Sequence, residues 1–238
     1  MQTPADLIEQ MLSALSNAGF HTRTRWSEEV RRTVTVRRLE QIFFISPQQI
    51  HLCQRFSSDF LIESDATFGN NQLRMPLAHL VGITNTNQTF SAGFSFIRTE
   101  SCEDFNFIHL QMADLVWGKY CPFPQVVITD QSKGMIKSLK ETMPHSFHQL
   151  CECHMFQNFK KRLTESGRYD KDQRIVLHSY IWQYIQAPTM ESMQTAKDNL
   201  LFHLHEEERD YIYENWDNKE AQVYYFPFII TCLLSFLK

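Results

Sequence analysis

The stretch that decides the fold reads Phe60-Leu-Ile-Glu-Ser-Asp-Ala-Thr-Phe68, an apolar run that leads into Asp65. A second stretch, Gln125-Val-Val-Ile-Thr-Asp130, has the same form. Near-continuous apolar runs of this length are typical of buried parallel strands. Because ligands of open α/β folds bind at the carboxyl ends of such strands, the two aspartates are candidates to converge on a metal ion.

The composition is that of an ordered globular protein without an excess of positive charge. Hydrophobic residues make up 43% of the 238 residues, Gly and Pro number only 7 and 8, and the formal net charge is −4. A chain of this length can bury a full hydrophobic core. Because no global basic field attracts nucleic acid, any contact with it must come from local clusters of charge.

The cysteines and the chain ends bear on the compartment. Six irregularly spaced cysteines indicate reduced thiols rather than a disulfide framework. Met1–Leu15 has no basic region followed by a long apolar core, so we predict no signal peptide and an intracellular protein. The apolar run Tyr224–Leu237 is 14 residues long and contains Pro227. It is too short for a membrane span, and we predict no membrane partner.

The pattern of helix and turn signals divides the chain into three predicted parts. Residues 1–57 form a mostly helical accessory segment, in which Arg31–Phe44 is compatible with either a helix or a strand. Residues 58–165 form an α/β core, and residues 166–238 form a helical insertion followed by an apolar tail. We therefore expect one core with an addition on each side.

The core combines a three-strand meander with alternating helices and strands. The predicted elements are, in order, strands at 60–68, 75–85 and 89–98, a helix from Ser101, a strand at 125–130, a helix at 132–143, a strand at 147–151 and a helix at 154–163. This order is the connectivity of the ribonuclease H-like fold, with a mixed five-stranded sheet. Further helices are predicted at 174–186, 189–204 and 206–222.

Five short motifs follow one another through the core. They are Asp65-Ala-Thr-Phe-Gly-Asn-Asn71, Met75-Pro-Leu77 with Val81-Gly82, Phe94-Ser-Phe-Ile-Arg-Thr-Glu100, Val127-Ile-Thr-Asp130, and Gln149-Leu-Cys-Glu-Cys-His154 with Gln157-Asn158. This set resembles the Mutator-like element transposases over about residues 60–161, and residues 39–56 are similar to their lead-in. The resemblance implies an enzyme that cuts element ends and joins them to target DNA with an Asp-Asp-Glu triad.

The resemblance makes Asp65 and Asp130 the first two acids of that triad and ligands of Mg²⁺ or Mn²⁺. Carboxylates suit such hard ions, and a pair of ions can activate an attacking water or a DNA 3′-hydroxyl. Each aspartate alone would be an ordinary strand-end turn residue. The resemblance also implies element terminal inverted repeats and target DNA as partners and a nuclear location, and a homo-oligomer is compatible with it.

The third acid has no evident counterpart. In the family it is a Glu followed closely by Asn and Lys, on a helix beyond the insertion, and no such stretch follows Trp216. Glu206–Glu208, Glu214 and Glu220 are available, and we predict that they are solvated helix residues. For Glu100, at the start of a predicted helix, we predict a structural role. We expect a transposase that is truncated or altered at its C-terminus and defective in strand transfer.

Two other functions stay open at this point. The chain can be a non-catalytic, transposase-derived DNA-binding or regulatory protein, or it can be an inert element fragment. The absence of a recognisable DNA-reading module before the core argues against the first, and the abrupt apolar tail favours the second. Fold alone does not choose between them.

Cys151 and His154 form the Cys-x-x-His signature of the family, with Cys153 and His148 beside them. Thiolates and imidazoles are zinc ligands, but a structural zinc site needs four ligands, usually with a second distant pair. No Cys-x-x-Cys partner follows in the sequence, so zinc is not favoured. We predict that the signature shapes the edge of the active site.

Two basic clusters are candidates for phosphate contacts. Lys160-Lys161-Arg162, interleaved with Phe156 and Phe159, can contact DNA. A helix whose aromatic side chains pack inward and whose cations face water is the simpler explanation. The earlier cluster, Arg23 to Arg38, is better explained as a solvated face with Glu28 and Glu29 as partners.

Overall fold

The computed structural model describes residues 4–31, 34–58, 60–63, 71, 73–130 and 132–216. The chain forms two compact units, Met1–His148 and Gln149–Lys238. The first unit carries a mixed sheet with flanking helices, and the second is helical. The predicted domain boundaries after residues 57 and 165 stay predictions.

The elements of the first unit alternate between strands and helices. They are α1 (Pro4–Asn17), β1 (His21–Arg31), β2 (Val34–Ile45), α2 (Pro47–Phe56), β3 (Phe60–Glu63), β4 (Leu77–Ile83), β5 (Thr89–Phe96), α3 (Cys102–Leu115), β6 (Val126–Thr129), α4 (Lys133–Thr142) and β7 (Phe147–Leu150), which crosses the junction between the units. The second unit contains α5 (Glu152–Ser166), α6 (Lys171–Ile185), α7 (Met190–Phe202) and α8 (Glu206–Asn215).

The seven strands form one sheet in the order β1-β2-β5-β4-β3-β6-β7. The neighbours β1 and β2, β2 and β5, β5 and β4, and β4 and β3 are all antiparallel. Strands β3 and β6 are parallel, with Phe60, Leu61 and Ile62 opposite Val126, Val127 and Ile128. The prediction of a mixed α/β protein is confirmed. The prediction of a five-stranded sheet is wrong by two strands, because β1 and β2 extend it.

The prediction of a mostly helical N-terminal segment is wrong for residues 21–30, which lie in β1, and of the two alternatives left open for Arg31–Phe44 the structure has the strand, β2. These residues form a hairpin that runs from the pair His21 and Ile45 to the pair Arg31 and Val34. Thr22, Thr24 and Trp26 in β1 are residues that favour strands. Because arginines alternate with them, the segment has no apolar face that would identify it in the sequence. It is a strand because it pairs with β2, which in turn pairs with β5.

The sheet of the first unit is covered on both faces. Helices α2, α3 and α4 pack on one face around Phe43, Ile45 and other buried side chains. Helix α1 covers the other face, where Ile42 and Phe44 lie. The alternation along β2 follows from the period-two geometry of a strand. Every core strand and helix predicted from residue 75 onward is present, with its ends shifted by a few residues.

The second unit is held together by aromatic side chains. Tyr184 and Trp216 are fully buried and stack with ring centroids 5.7 Å apart, and Phe159 lies 5.3 Å from Trp216. The three helices predicted after residue 166 are present as α6, α7 and α8. No helix in the described part of the chain is both long enough and apolar enough to cross a bilayer. The apolar run Tyr224–Leu237 lies outside the described residues.

Candidate functional site

Asp130 lies at the carboxyl end of a fully buried strand of the sheet, β6. All four residues of β6 are buried, and Asp130, the next residue, is half-buried. Its Oδ1 accepts a hydrogen bond of 2.8 Å from the backbone N–H of Ser132, the N-cap residue of α4. The positive end of the α4 dipole favours a negative charge at this position. The carboxylate is therefore held at the edge of the sheet in a defined orientation.

A hydroxyl behind Asp130 connects β6 to β7. The Oγ1 of Thr129 is 2.7 Å from Nε2 of His148 and donates to the carbonyl oxygen of Asp130 at 2.9 Å. Because a hydroxyl has one proton to donate, this arrangement requires His148 to donate from Nε2. Thr129 is fully buried. The contact fixes the backbone that presents Asp130.

The N-terminus of α4 is pressed against the chain segment that begins α3. A Cβ atom placed on Gly134 would lie 2.2 Å from the carbonyl oxygen of Glu100 and 3.0 Å from the carbonyl carbon of Ser101. Only glycine permits this approach. Glu100 is half-buried beside the helix that follows Asp130. Its predicted structural role stays a prediction.

Asp65 lies outside the described residues. The preceding strand, β3, ends at Glu63 and is paired in parallel with β6 up to Ile62 and Ile128. The sequence predicted that the strands leading to the two aspartates are parallel neighbours, and the described residues have that arrangement. Carboxyl ends of adjacent parallel strands meet at one edge of a sheet.

The donor chemistry of this edge suits a hard cation. Asp130 offers carboxylate oxygens, and Mg²⁺ is usually bound through one or two carboxylates plus waters. Among the described residues, which exclude Asp65, no group of three or more His, Cys, Asp or Glu side chains is arranged to hold a metal ion. A metal site here would thus depend on Asp130 together with Asp65.

The Cys-x-x-His signature lies at the N-terminus of α5, in the second unit. Cys151 is the N-cap residue, and its pKa is lowered to about 4, because the Cys153 thiol and then His154 donate hydrogen bonds to it. The same contact with Cys151 raises the pKa of Cys153. These hydrogen bonds therefore favour the thiolate form of Cys151, which carries a negative charge. Sequence reasoning missed this charge, although a cysteine at a helix N-terminus is the signal for it.

Glu152, between the two cysteines, is buried. Burial raises its pKa to about 7. A hydrogen bond of 3.5 Å from Nε2 of Gln186 to its Oε2 has the opposite effect and lowers the pKa, but by less. The negative charge of Cys151 raises the pKa further. At the start of α5, one neighbouring group thus favours the thiolate form and the other favours the protonated carboxyl form.

In the basic cluster of α5 the aromatic side chains pack inward and the lysines face water, which is the simpler of the two explanations considered for it. Phe159 is fully buried and Phe156 stacks on Trp182 with centroids 4.5 Å apart, whereas Lys160 and Lys161 are exposed. Arg162 lies 3.9 Å from Glu207. A DNA contact by Lys160, Lys161 and Arg162 stays a prediction.

The prediction that the glutamates of α8 are solvated is wrong for Glu208. Its side chain is fully buried, accepts a hydrogen bond of 3.0 Å from Nη1 of Arg168 and one of 3.1 Å from the hydroxyl of Tyr169. Glu206, Glu207 and Glu214 are exposed, and Glu220 lies outside the described residues. Glu208 has a structural role, because its buried charge is neutralised within its own unit.

Two curated proteins share part of this sequence. The chain is 27% identical over 112 residues to the PKS-NRPS hybrid synthetase cheA of Chaetomium globosum, which covers 45% of this chain and 2% of that protein. It is 24% identical over 97 residues to Protein FAR-RED IMPAIRED RESPONSE 1 of Arabidopsis thaliana, covering 41% of this chain and 11% of that protein. The chain therefore spans only a small part of the length of either relative.

Two family models match the chain in overlapping regions. The model of the MULE transposase domain matches residues 61–158, which include Asp65, Asp130 and the Cys-x-x-His signature. The model of the Mutator family transposase matches residues 116–230, from the end of α3 through the helices of the second unit. Together the two matches extend from residue 61 to residue 230, and the chain belongs to the Mutator-like transposases.

Proposed function

We propose that this chain carries the metal-binding core of a DNA transposase, in which Asp65 and Asp130 hold Mg²⁺ or Mn²⁺ for cleavage and transfer of DNA strands. The observation that carries the proposal is the parallel pairing of β3 and β6, since each strand leads to one of the aspartates. We expect the protein to act on DNA in the nucleus.

The sheet order supports a ribonuclease H-like core. Strands β5, β4 and β3 form an antiparallel meander, and β6 and β7 continue the sheet beyond β3. This is the order expected for that fold, with the β1–β2 hairpin added at the β5 edge. The helices α3 and α4 lie between the strands that the fold requires them to connect.

The residues around Asp130 supply orientation. The amide of Ser132 fixes one carboxylate oxygen, and Thr129 and His148 hold the strand behind it. Divalent ions, when bound, would activate an attacking water or 3′-hydroxyl and stabilise the leaving oxygen. The task of the protein is to keep the acid ionised and directed at that position.

We further propose that this chain alone does not complete strand transfer. The buried Glu208 is neutralised by Arg168, and the sequence after Trp216 lacks the Glu, Asn and Lys pattern of the third acid. A non-catalytic DNA-binding protein is the alternative, and the engagement of Glu208 in a structural ion pair favours it.

The test measures Mn²⁺ binding by electron paramagnetic resonance and strand transfer of DNA with element ends. We expect Asp65→Asn and Asp130→Asn each to weaken Mn²⁺ binding at least about tenfold, because each removes one anionic ligand. Asp114→Asn is the matched control, since Asp114 is exposed on α3. Equal Mn²⁺ binding by wild type and Asp130→Asn would refute the metal site. Robust strand transfer by the wild-type chain would refute the proposal that this chain alone does not complete that reaction.

A further inference from the structure

A groove between α1 and the β1–β2 hairpin has an unexpected charge. Its volume is about 700 Å³, and among the described residues that line it are four arginines and one carboxylate, Glu9. The arginines are Arg37, Arg38, Arg74 and Arg98. The whole chain has a net charge of −4, so this surface is opposite in sign to the molecule.

A β-bulge lies beside the groove. The register of the hairpin shifts between Arg25, which faces Gln41, and Trp26, which faces Leu39. The shift leaves Leu39 buried against α1, as Ile42 and Phe44 are, and leaves Trp26 37% exposed on the groove. A bulge reorients side chains in this way and often lies next to a functional site.

Not all four arginines are available to a ligand. Nη1 of Arg98 contacts both carboxylate oxygens of Glu40 at 3.0 and 3.1 Å. Arg37 lies 3.7 Å from Glu28, with its guanidinium 5.1 Å from the centre of the Trp26 ring. Arg38 and Arg74 are exposed, and neither lies within 4 Å of a carboxylate among the described residues, although the charge of Arg38 helps to lower the pKa of Glu40. The surplus positive charge is therefore theirs.

Arg74 is held in a conformation that L-residues rarely adopt. Its φ angle is 53°, in the left-handed region. The turn is closed by Asn71, whose carbonyl oxygen accepts from the N–H of Arg74 at 3.1 Å and whose Oδ1 accepts from the N–H of Met75 at 3.2 Å. Strain of this kind persists only where the surroundings impose it, and it is common in binding sites.

We propose that this groove binds the phosphate backbone of DNA. Guanidinium groups pair with phosphate in two parallel hydrogen bonds, and several arginines along one groove suit a chain of phosphates better than a single anion. The half-exposed Trp26 gives an aromatic surface beside them. The groove lies at the β2 and β5 side of the sheet, with β4 and β3 between it and β6, so it is separate from Asp130. The inference rests on the proposed function only in taking DNA as the partner.

The test compares two double variants of the full chain that change the net charge equally. Arg38→Glu with Arg74→Glu removes the surplus charge of the groove, and Lys119→Glu with Lys140→Glu changes exposed lysines outside it. Binding to a fluorescent duplex of about 20 base pairs, without element sequence and in EDTA, is followed by anisotropy over a range of salt. EDTA excludes any contribution of a metal at Asp130.

We expect the groove variant to bind at least about tenfold more weakly, with a slope of log affinity against log salt smaller by about 2, because each lost phosphate contact removes about one unit. The lysine variant should keep the wild-type slope. DNA should also quench tryptophan fluorescence in wild type, and Trp26→Phe should lose that quenching; this second reading applies even if the charge variant does not fold.

The outcomes separate the groove from the proposed function. If the groove variant keeps the wild-type DNA affinity and salt slope, or if both variants lose DNA affinity equally, the groove does not bind DNA. Neither result bears on the metal site at Asp130. A wild-type chain that binds no duplex at any salt concentration would refute the groove and remove the support for DNA as a partner. Mn²⁺ binding at Asp130 is measured without DNA, so its failure would leave the groove standing.

Discussion

Single residues in the second unit carry the most unusual chemistry of the described chain. The hydrogen bonds from Cys153 and His154 lower the pKa of Cys151 and favour its thiolate form, whereas burial raises the pKa of Glu152 and favours its protonated form. Two opposite pKa shifts on adjacent residues arise because Cys151 receives hydrogen bonds at the helix N-terminus while Glu152 is buried. The ionisation of Cys151 and Glu152 is therefore determined by the surroundings of each side chain rather than by the usual pKa of its residue type.

The reactivity of Cys151 is the prediction at this scale. Because its pKa is lowered to about 4, its alkylation rate by iodoacetamide should stay constant between about pH 6 and pH 8. An ordinary thiol gains about tenfold in rate per pH unit over that range. Peptide mass spectrometry measures the rates of all cysteines in one sample.

Two controls make that measurement decisive. Cys53 should react slowly at every pH in the range, because burial raises its pKa to about 12. Cys153→Ala removes the first hydrogen bond to Cys151 and should restore a rate that rises with pH. A pH-dependent rate at Cys151 in the wild type would contradict the charge assignment.

At the scale of elements, the hairpin is attached to α3 by two arginines of very different environment. Arg25 of β1 pairs with Asp104, which is buried and also accepts from the N–H of Thr99 at 3.1 Å and from its hydroxyl at 2.6 Å. Arg23 lies 3.7 Å from Asp114, and both are well exposed. The two pairs join the same two elements, so they form a natural comparison.

We expect Asp104→Ala to lower the free energy of unfolding by about 2 to 3 kcal/mol, because it leaves Arg25 and the Thr99 donors without their acceptor. Asp114→Ala should change it by less than about 0.5 kcal/mol, as exposed pairs do. Urea denaturation followed by circular dichroism measures both. Similar losses in the two variants would show that the contact of Arg25 with Asp104 has no special weight.

Predictability from sequence also differs from element to element. Helices α3, α4 and α7 begin at Ser101, Ser132 and Thr189, whose side chains cap them, and such caps are readable in sequence. Asp130 was located by the apolar run before it. β1 was not found, because both of its faces carry polar residues and, within the described part of the chain, it pairs with β2 alone.

Long-range partners set the other limit to prediction. Glu208 was taken for a solvated residue, since nothing in α8 itself shows that Arg168, 40 residues earlier, neutralises it. The basic groove was missed for the same reason. Its lining comes from α1, β2 and the turn at Arg74, which are far apart in sequence and are brought together by the pairing of β2 with β5. Local pattern gave the elements, and tertiary contact decided which charges are buried or concentrated.

For the whole molecule, stability should depend on pH through Glu152. Its pKa is raised from 4.5 to about 7 on folding, so between these values the folded state holds a proton that the unfolded chain releases. The contribution of Glu152 to the free energy of unfolding should therefore fall by about 2 to 3 kcal/mol as the pH rises from 4.5 to 7, and stay level above 7. The lowered pKa of Cys151 acts in the opposite direction, so this contribution is measured as the difference between wild type and a Glu152 variant.

Replacement by glutamine tests this dependence. Glu152→Gln should be more stable than wild type by about 2 to 3 kcal/mol at pH 8 and equal to it at pH 4. Glu165→Gln is the matched control, because Glu165 lies on the same helix but is exposed, 3.8 Å from Lys161. Urea titrations at the two pH values, followed by tryptophan fluorescence, measure the difference. An equal effect of both variants at pH 8 would refute the assignment to Glu152.

The position of β1 at the outer end of the sheet has a consequence for solubility. An outer strand of 11 residues is a template on which a second copy could add its own strand. Here that strand carries Arg23, Glu28 and Glu29, so an approaching identical strand would have to bury charged side chains beside it. The same charged residues that hid the strand from sequence reasoning protect the protein from aggregating along it.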